Sequence, residues 1–160
     1  MAVFFRKLLG IGKLPDDMRA QVGSEGVIHL AESLPVTLRF TGQVPGRKSV
    51  GLKRGYTGAL VLTNQRVLGT LSTVPKKAGR SIDQPWVPNA GGMVTATLNE
   101  TGLVLEASDL SVIDPRFSGT LSLHYKDVLP PDILTRIPTR TLLFDVPSKW
   151  VTGAVGVPFS

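Results

Sequence analysis

The chain contains no cysteine, which excludes thiol catalysis, structural disulfides and cysteine-ligated zinc or iron–sulfur centres. That absence is compatible with a reducing cytoplasm. No apolar run approaches the ~20 residues that a membrane-crossing helix needs, because polar, Gly or Pro residues interrupt the hydrophobic ones every few positions. The expectation is a soluble cytoplasmic protein, at most peripheral to a membrane. The opening Met1 to Gly10 has Arg6 and Lys7 inside its apolar run and no small-residue cleavage site behind it, so it reads poorly as a secretory signal. His29 and His124 are the only histidines and lack His-x-x-x-His spacing; both read as satisfied sheet or surface residues rather than metal ligands. No Gly-x-Ser-x-Gly elbow, phosphate-binding Gly-x-x-x-x-Gly-Lys or His-Glu-x-x-His occurs. Glu100, Glu106, Asp109 and Asp114 are scattered, and Asp114-Pro115 reads as turn chemistry. Neither catalysis nor a cofactor is expected.

The other conspicuous absence is of one sign of charge. Between Glu32 and Asp83 there are nine Lys or Arg residues and no Asp or Glu. Residues 1 to 32 are neutral, residues 33 to 82 carry +9 and residues 83 to 160 carry −3, which gives the net charge of +6. Such a segment raises the potential over any surface it forms and favours anionic partners. The competing reading is that these cations end on different sides of the fold and have no joint effect.

At 160 residues the chain is long enough for one domain with its own core. Residues 1 to 22 read as an N-terminal arm or short helix, and 23 to 160 as a single β domain. In the arm, Phe4, Phe5, Leu8, Leu9 and Ile11 stand beside Arg6, Lys7 and Lys13. That is the composition of a helix in a membrane interface, and equally of an arm docking on its own domain or on a neighbouring subunit.

From Gly26 the apolar residues Val27, Ile28 and Leu30, then Val36, Leu38 and Phe40, alternate as half-buried strands do. Residues 45 to 57 are Gly-rich and poor in strand formers and read as a mobile loop. Strands are expected at 58 to 63 and 66 to 73, joined at Thr63-Asn64-Gln65, with Asn64 offering a left-handed turn conformation. Residues 75 to 92, with their prolines and glycines, read as a second long loop. Strand patterns follow at 93 to 98 and 103 to 108, joined by a turn at Asn99 to Gly102, and then at 118 to 125 and 140 to 146. Pro131 to Ile137 reads as a short helix. This pattern argues for an antiparallel, mainly β barrel or sandwich.

The segment Gly58, Leu62-Thr63-Asn64, Arg66, then apolar Val67-Leu68 resembles the hairpin of GRAM and bacterial pleckstrin-homology-like domains over about a dozen positions. The resemblance implies a partly open, strongly bent β-barrel capped by a C-terminal amphipathic helix, and relatives that often assemble into rings. Physically, Thr63 and Asn64 can hold the turn, and Arg66 can tie carbonyls of a neighbouring loop, so Arg66 reads as fold-holding rather than ligand-binding. The tail after Val146 is too Gly- and Pro-rich for a long helix. The cap is therefore expected to be missing, shortened or replaced by the 131 to 137 turn or the N-terminal arm.

The candidate ligand-binding residues are Arg47, Lys48, Lys53 and Arg54 before the hairpin, and Lys76, Lys77, Arg80 and Trp86 after it. If both segments emerge at one rim, the cations with an amphipathic aromatic suit anionic head groups. In pleckstrin-homology domains the first inter-strand loop is the usual phosphate-binding element; residues 45 to 57 resemble it in position and charge, without its basic spacing. The expected function is a non-enzymatic binding or assembly module at an anionic membrane surface or an acidic protein partner. The alternative is a homo-oligomeric structural protein paired through strand edges or the N-terminal arm. Nucleic-acid binding ranks lower, since only Tyr56 and Trp86 offer stacking platforms in these segments.

Overall fold

A computed structural model describes residues 14–74, 77–87 and 92–155. The arm segment Phe4 to Lys13 lies outside them. Eight antiparallel strands form one sheet in the order β4-β3-β2-β1-β7-β6-β5-β8, curled into a nearly closed barrel. They are β1 (Val27–Val44), β2 (Arg47–Thr63), β3 (Arg66–Val74), β4 (Lys77–Pro85), β5 (Val94–Asn99), β6 (Gly102–Ala107), β7 (Ser118–Lys126) and β8 (Thr141–Phe144). Three short α-helices, α1 (Asp16–Gly23), α2 (Pro131–Arg136) and α3 (Ser148–Ala154), accompany them. The mainly β antiparallel class read from the alternating apolar pattern is the observed one.

Two expected loops are strands. Residues 47–57 belong to β2, paired with β1 from Val27↔Thr63 to Val44↔Arg47 around a tight turn at Pro45-Gly46. Their alternation is muted because Gly51 (φ +66°) sits in a bulge, where two residues of β2 oppose Thr41. Residues 77–85 likewise form β4, paired with β3. Glycine and proline content signalled breaks in this region, but long ladder partners override local propensity.

The continuous apolar run Ala59-Leu-Val-Leu62 follows from burial on both faces. Leu60 and Leu62 face the barrel core, while Ala59 and Val61 form a second cluster with Leu68 of β3 and with Leu14, Met18 and Val22 of the α1 segment. Each of these side chains contributes about 1.5–3 kcal/mol on full burial if large, so α1 is a built part of the domain. Glu32 fixes its position, accepting hydrogen bonds from the Leu14 amide and Arg19, both at 2.7 Å.

β1 bends at a second bulge, where Glu32 and Ser33 lie between the pairs Ala31↔Leu60 and Leu34↔Gly58 and Ser33 takes φ +57°. Beyond it Val36, Leu38 and Phe40 point inward, paired on both sides by β2 and β7. A polar link crosses the interior. The fully buried Tyr125 of β7 donates its hydroxyl to the Thr70 carbonyl of β3 at 2.9 Å and forms a short hydrogen bond with Ser81 of β4. Ser81 is turned inward by a bulge between the pairs Gly69↔Ile82 and Thr70↔Arg80. Burial pushes the Tyr125 phenol well above its ordinary pKa, with the Ser81 contact opposing, so it remains a neutral donor.

The tail after Val146, expected to be too Gly- and Pro-rich for a long helix, forms only the short α3. α3 buries Val151 and Ala154, packs against β4, and covers a small apolar cavity of about 40 Å³ bounded also by β5, β6 and β7. At Asp114-Pro115 the expected turn occurs: Asp114 accepts from the Arg116 amide and guanidinium, which holds its carboxyl well below the usual carboxylate range.

Gly58 makes the Tyr125 crossing possible. A Cβ there would lie 2.1 Å from the Thr70 carbonyl oxygen and 2.9 Å from the Tyr125 ring. Gly58→Ala is therefore expected to cost about 3 kcal/mol, whereas Gly79→Ala, with nothing within 4 Å, should stay within about 0.5 kcal/mol. Urea unfolding of both variants checks this, and equal midpoints would refute the account.

Candidate functional site

The cations of the middle segment separate into paired and unpaired groups. Arg66 opens β3 and is held by carboxylates, not by the loop carbonyls expected: Nε and Nη2 reach Glu25 at 3.0 and 2.9 Å, and Nη1 reaches Asp83 at 2.8 Å. Burial alone would pull its guanidinium pKa down, but these hydrogen bonds outweigh it and the net shift is upward. The neighbouring turn also differs from expectation. Asn64 is not left-handed, since Ser33 is the one non-glycine with positive φ among the described residues. Instead the Thr63 hydroxyl accepts from the Gln65 and Arg66 amides at 3.1 and 3.0 Å.

Arg80 is paired too, with Nε 3.3 Å from Asp83. Trp86 is not a surface aromatic: it is 9% exposed and its indole N–H donates to the Thr63 carbonyl at 2.7 Å. It locks the turn. Tyr56 is 8% exposed and belongs to the core. Lys76 and the Lys77 side chain lie outside the described residues; the Lys77 backbone pairs with Val74. His29 meets Asp127 at 2.7 Å and His124 contacts Thr101, so each has a partner as expected. No group of three or more potential metal ligands occurs among the described residues.

Arg47, Lys48, Lys53 and Arg54 all lie on the half of β2 that runs past β3, whose ladder stops at Thr57↔Ser72. None has a carboxylate within ion-pair distance among the described residues; Arg47 and Arg54 make only 3.4 Å contacts to Ser49 and Tyr56. Strand geometry splits them. Arg47 and Arg54 oppose Val44 and Leu38 on the core side, while Lys48 and Lys53 oppose Gln43 and Arg39 on the outer side. At roughly 3.3 Å per residue, tip and base cations are some 16–23 Å apart along the strand. A Debye length of about 8 Å at physiological salt makes them two centres rather than one.

Arg39 joins the base centre, and sequence reasoning missed it. Its outward position was available from the alternation of Val36, Leu38 and Phe40. Its pairing with Lys53 was not, because residues 45 to 57 read as a loop. The outer face around this pair forms a groove of about 570 Å³ lined by Arg39, Thr41, Lys53, Glu106, Thr120 and Ser122, among others.

No family model matches the chain, and no curated protein or solved structure matches it significantly.

The division between fold-holding and free cations is measurable. Arg66→Met removes the guanidinium that bridges Glu25 and Asp83, leaving Glu25 the Thr63 hydroxyl and Asp83 the Arg80 side chain, and should lower stability by about 1–3 kcal/mol. Arg54→Met should change it by less than about 0.5 kcal/mol. Similar losses in denaturant titrations would overturn the distinction.

Proposed function

We propose that the chain is a non-enzymatic binding module of pleckstrin-homology-like build that engages an anionic membrane surface through the β1–β2 hairpin, peripherally and from the cytoplasm. One observation carries the reading: Arg39, Arg47, Lys48, Lys53 and Arg54 share a hairpin with no neutralising carboxylate among the described residues, while Arg66 and Arg80 of the same segment are paired. The curled sheet and short C-terminal helix are compatible with the build that the hairpin resemblance implies. No described helix is long and apolar enough to cross a membrane, so contact by this route is made at the surface.

Each basic residue near anionic head groups contributes about 1 kcal/mol. Five therefore yield about 5 kcal/mol, which corresponds to sub-millimolar, reversible attachment. Val50, 86% exposed between Lys48 and Lys53, adds an apolar contact that lipid can accept. Burial of Tyr56 and Trp86 removes the two stacking platforms on which single-strand binding would draw.

A second reading is self-association through the unpaired edge of β2 at residues 47 to 56, which has β1 on one side and no strand on the other among the described residues. Antiparallel pairing of two such edges about Val50-Gly51 sets Arg47 against Arg54 and Lys48 against Lys53. Like charges then face each other, as edge-guarding residues do.

The two readings have opposite salt dependence. Vesicles rich in phosphatidylserine are expected to sediment the protein at low ionic strength and release it at high salt, with Lys48→Ala/Lys53→Ala weakening binding about 30-fold. No sedimentation at low salt removes the membrane reading. Edge pairing instead predicts a light-scattering mass that rises with salt as repulsion is screened, and a monomer mass throughout excludes it.

A further inference from the structure

On the outer face of the sheet, one level of the ladder reads Lys53, Arg39, Ser122, Glu106 across β2, β1, β7 and β6. The first two are direct cross-strand partners of like charge, an arrangement that destabilises a sheet. No carboxylate lies within ion-pair distance of either among the described residues. Glu106 stands across Ser122 from Arg39 and makes no ion pair among the described residues. With strands about 4.8 Å apart, its backbone is roughly 10 Å from that of Arg39.

The groove over this level has about 570 Å³ of space, within the roughly 300–1,000 Å³ typical of small-molecule sites. Hydroxyls line its middle. Thr41 already accepts the Gly51 amide at 2.9 Å, so its own hydrogen is available to a ligand. Ser122 and Thr120 follow on β7. The groove therefore offers a cation pair at one end, hydroxyls between, and an unpaired carboxylate at the other.

We propose that this groove binds a small phosphorylated amine, its phosphate between Arg39 and Lys53 and its ammonium toward Glu106. A guanidinium fork beside an ammonium suits phosphate oxygens, and a bound phosphate relieves the repulsion between the two cations. The carboxylate selects for a positive group within side-chain reach. The site goes beyond electrostatic docking at a membrane: it shares Arg39 and Lys53 with that reading, but Arg47 and Lys48 do not line the groove, so the two can be tested apart.

The test uses the full chain, with phosphoethanolamine and ethyl phosphate as a pair differing in the ammonium group, followed by backbone amide shifts. Saturable shifts are expected at Arg39, Lys53, Glu106 and Ser122, with phosphoethanolamine the tighter ligand. Arg39→Met should weaken both ligands at least tenfold while leaving the melting temperature unchanged or higher, since it removes a like-charge contact. Glu106→Gln should weaken phosphoethanolamine and strengthen ethyl phosphate. Arg47→Ala/Lys48→Ala should weaken vesicle sedimentation and leave both soluble ligands unaffected. Binding of phosphoethanolamine without retention on phosphatidylethanolamine vesicles assigns a free ligand; retention on those vesicles as well, lost in Arg39→Met, assigns the lipid head group. Absence of saturable shifts at the groove, or a Glu106→Gln change of the same sign for both ligands, overturns the proposal.

Discussion

The Tyr125 hydroxyl carries a polar link across the barrel interior, and the arrangement around it constrains three strands at once. Its bonds to the Thr70 carbonyl and to Ser81 tie β7 to β3 and β4 across the core. A buried phenol without partners costs about 1–3 kcal/mol, so Gly58 must lack a side chain and the bulge in β4 must turn Ser81 inward. The hairpin residues thus have structural roles: Gly58 gives clearance, Thr63 closes the turn, and Arg66 holds Glu25 and Asp83 together.

β2 has two characters along its length. From Thr57 to Thr63 it is buried on both faces, between the barrel interior and α1. From Arg47 to Gly55 it pairs only with β1 among the described residues and carries cations. The rigid half anchors the charged half, so the basic residues are displayed on a paired ladder and not on a free loop. This lowers the conformational entropy lost on binding, and it also fixes which cations can act together.

Much of the strand content was legible locally. Alternation located β1, β5, β6 and β7, and the turn residues Asn99 to Gly102 and Asp114-Pro115 located the connections between or beside them. The Gly-rich stretch 45 to 57 and part of 75 to 92 misled because glycine weakens the local signal, while pairing with β1 and β3 supplies the hydrogen bonds that order them. Trp86 reads as a surface aromatic because it stands in a Pro- and Gly-rich stretch behind Lys76, Lys77 and Arg80. Its carbonyl partner, Thr63, lies 23 residues away in the chain, beyond any local pattern.

The sequence by itself determined the antiparallel β class, the absence of cysteine chemistry and the concentration of positive charge in one third of the chain, since these depend on composition and short-range periodicity. Only the tertiary structure decided which cations are free. Glu25 and Asp83 reach Arg66 from distant positions, and the β1–β2 register sets Arg39 beside Lys53. Charge neutralisation falls off within a few ångströms of space, and proximity in space is a property of the fold.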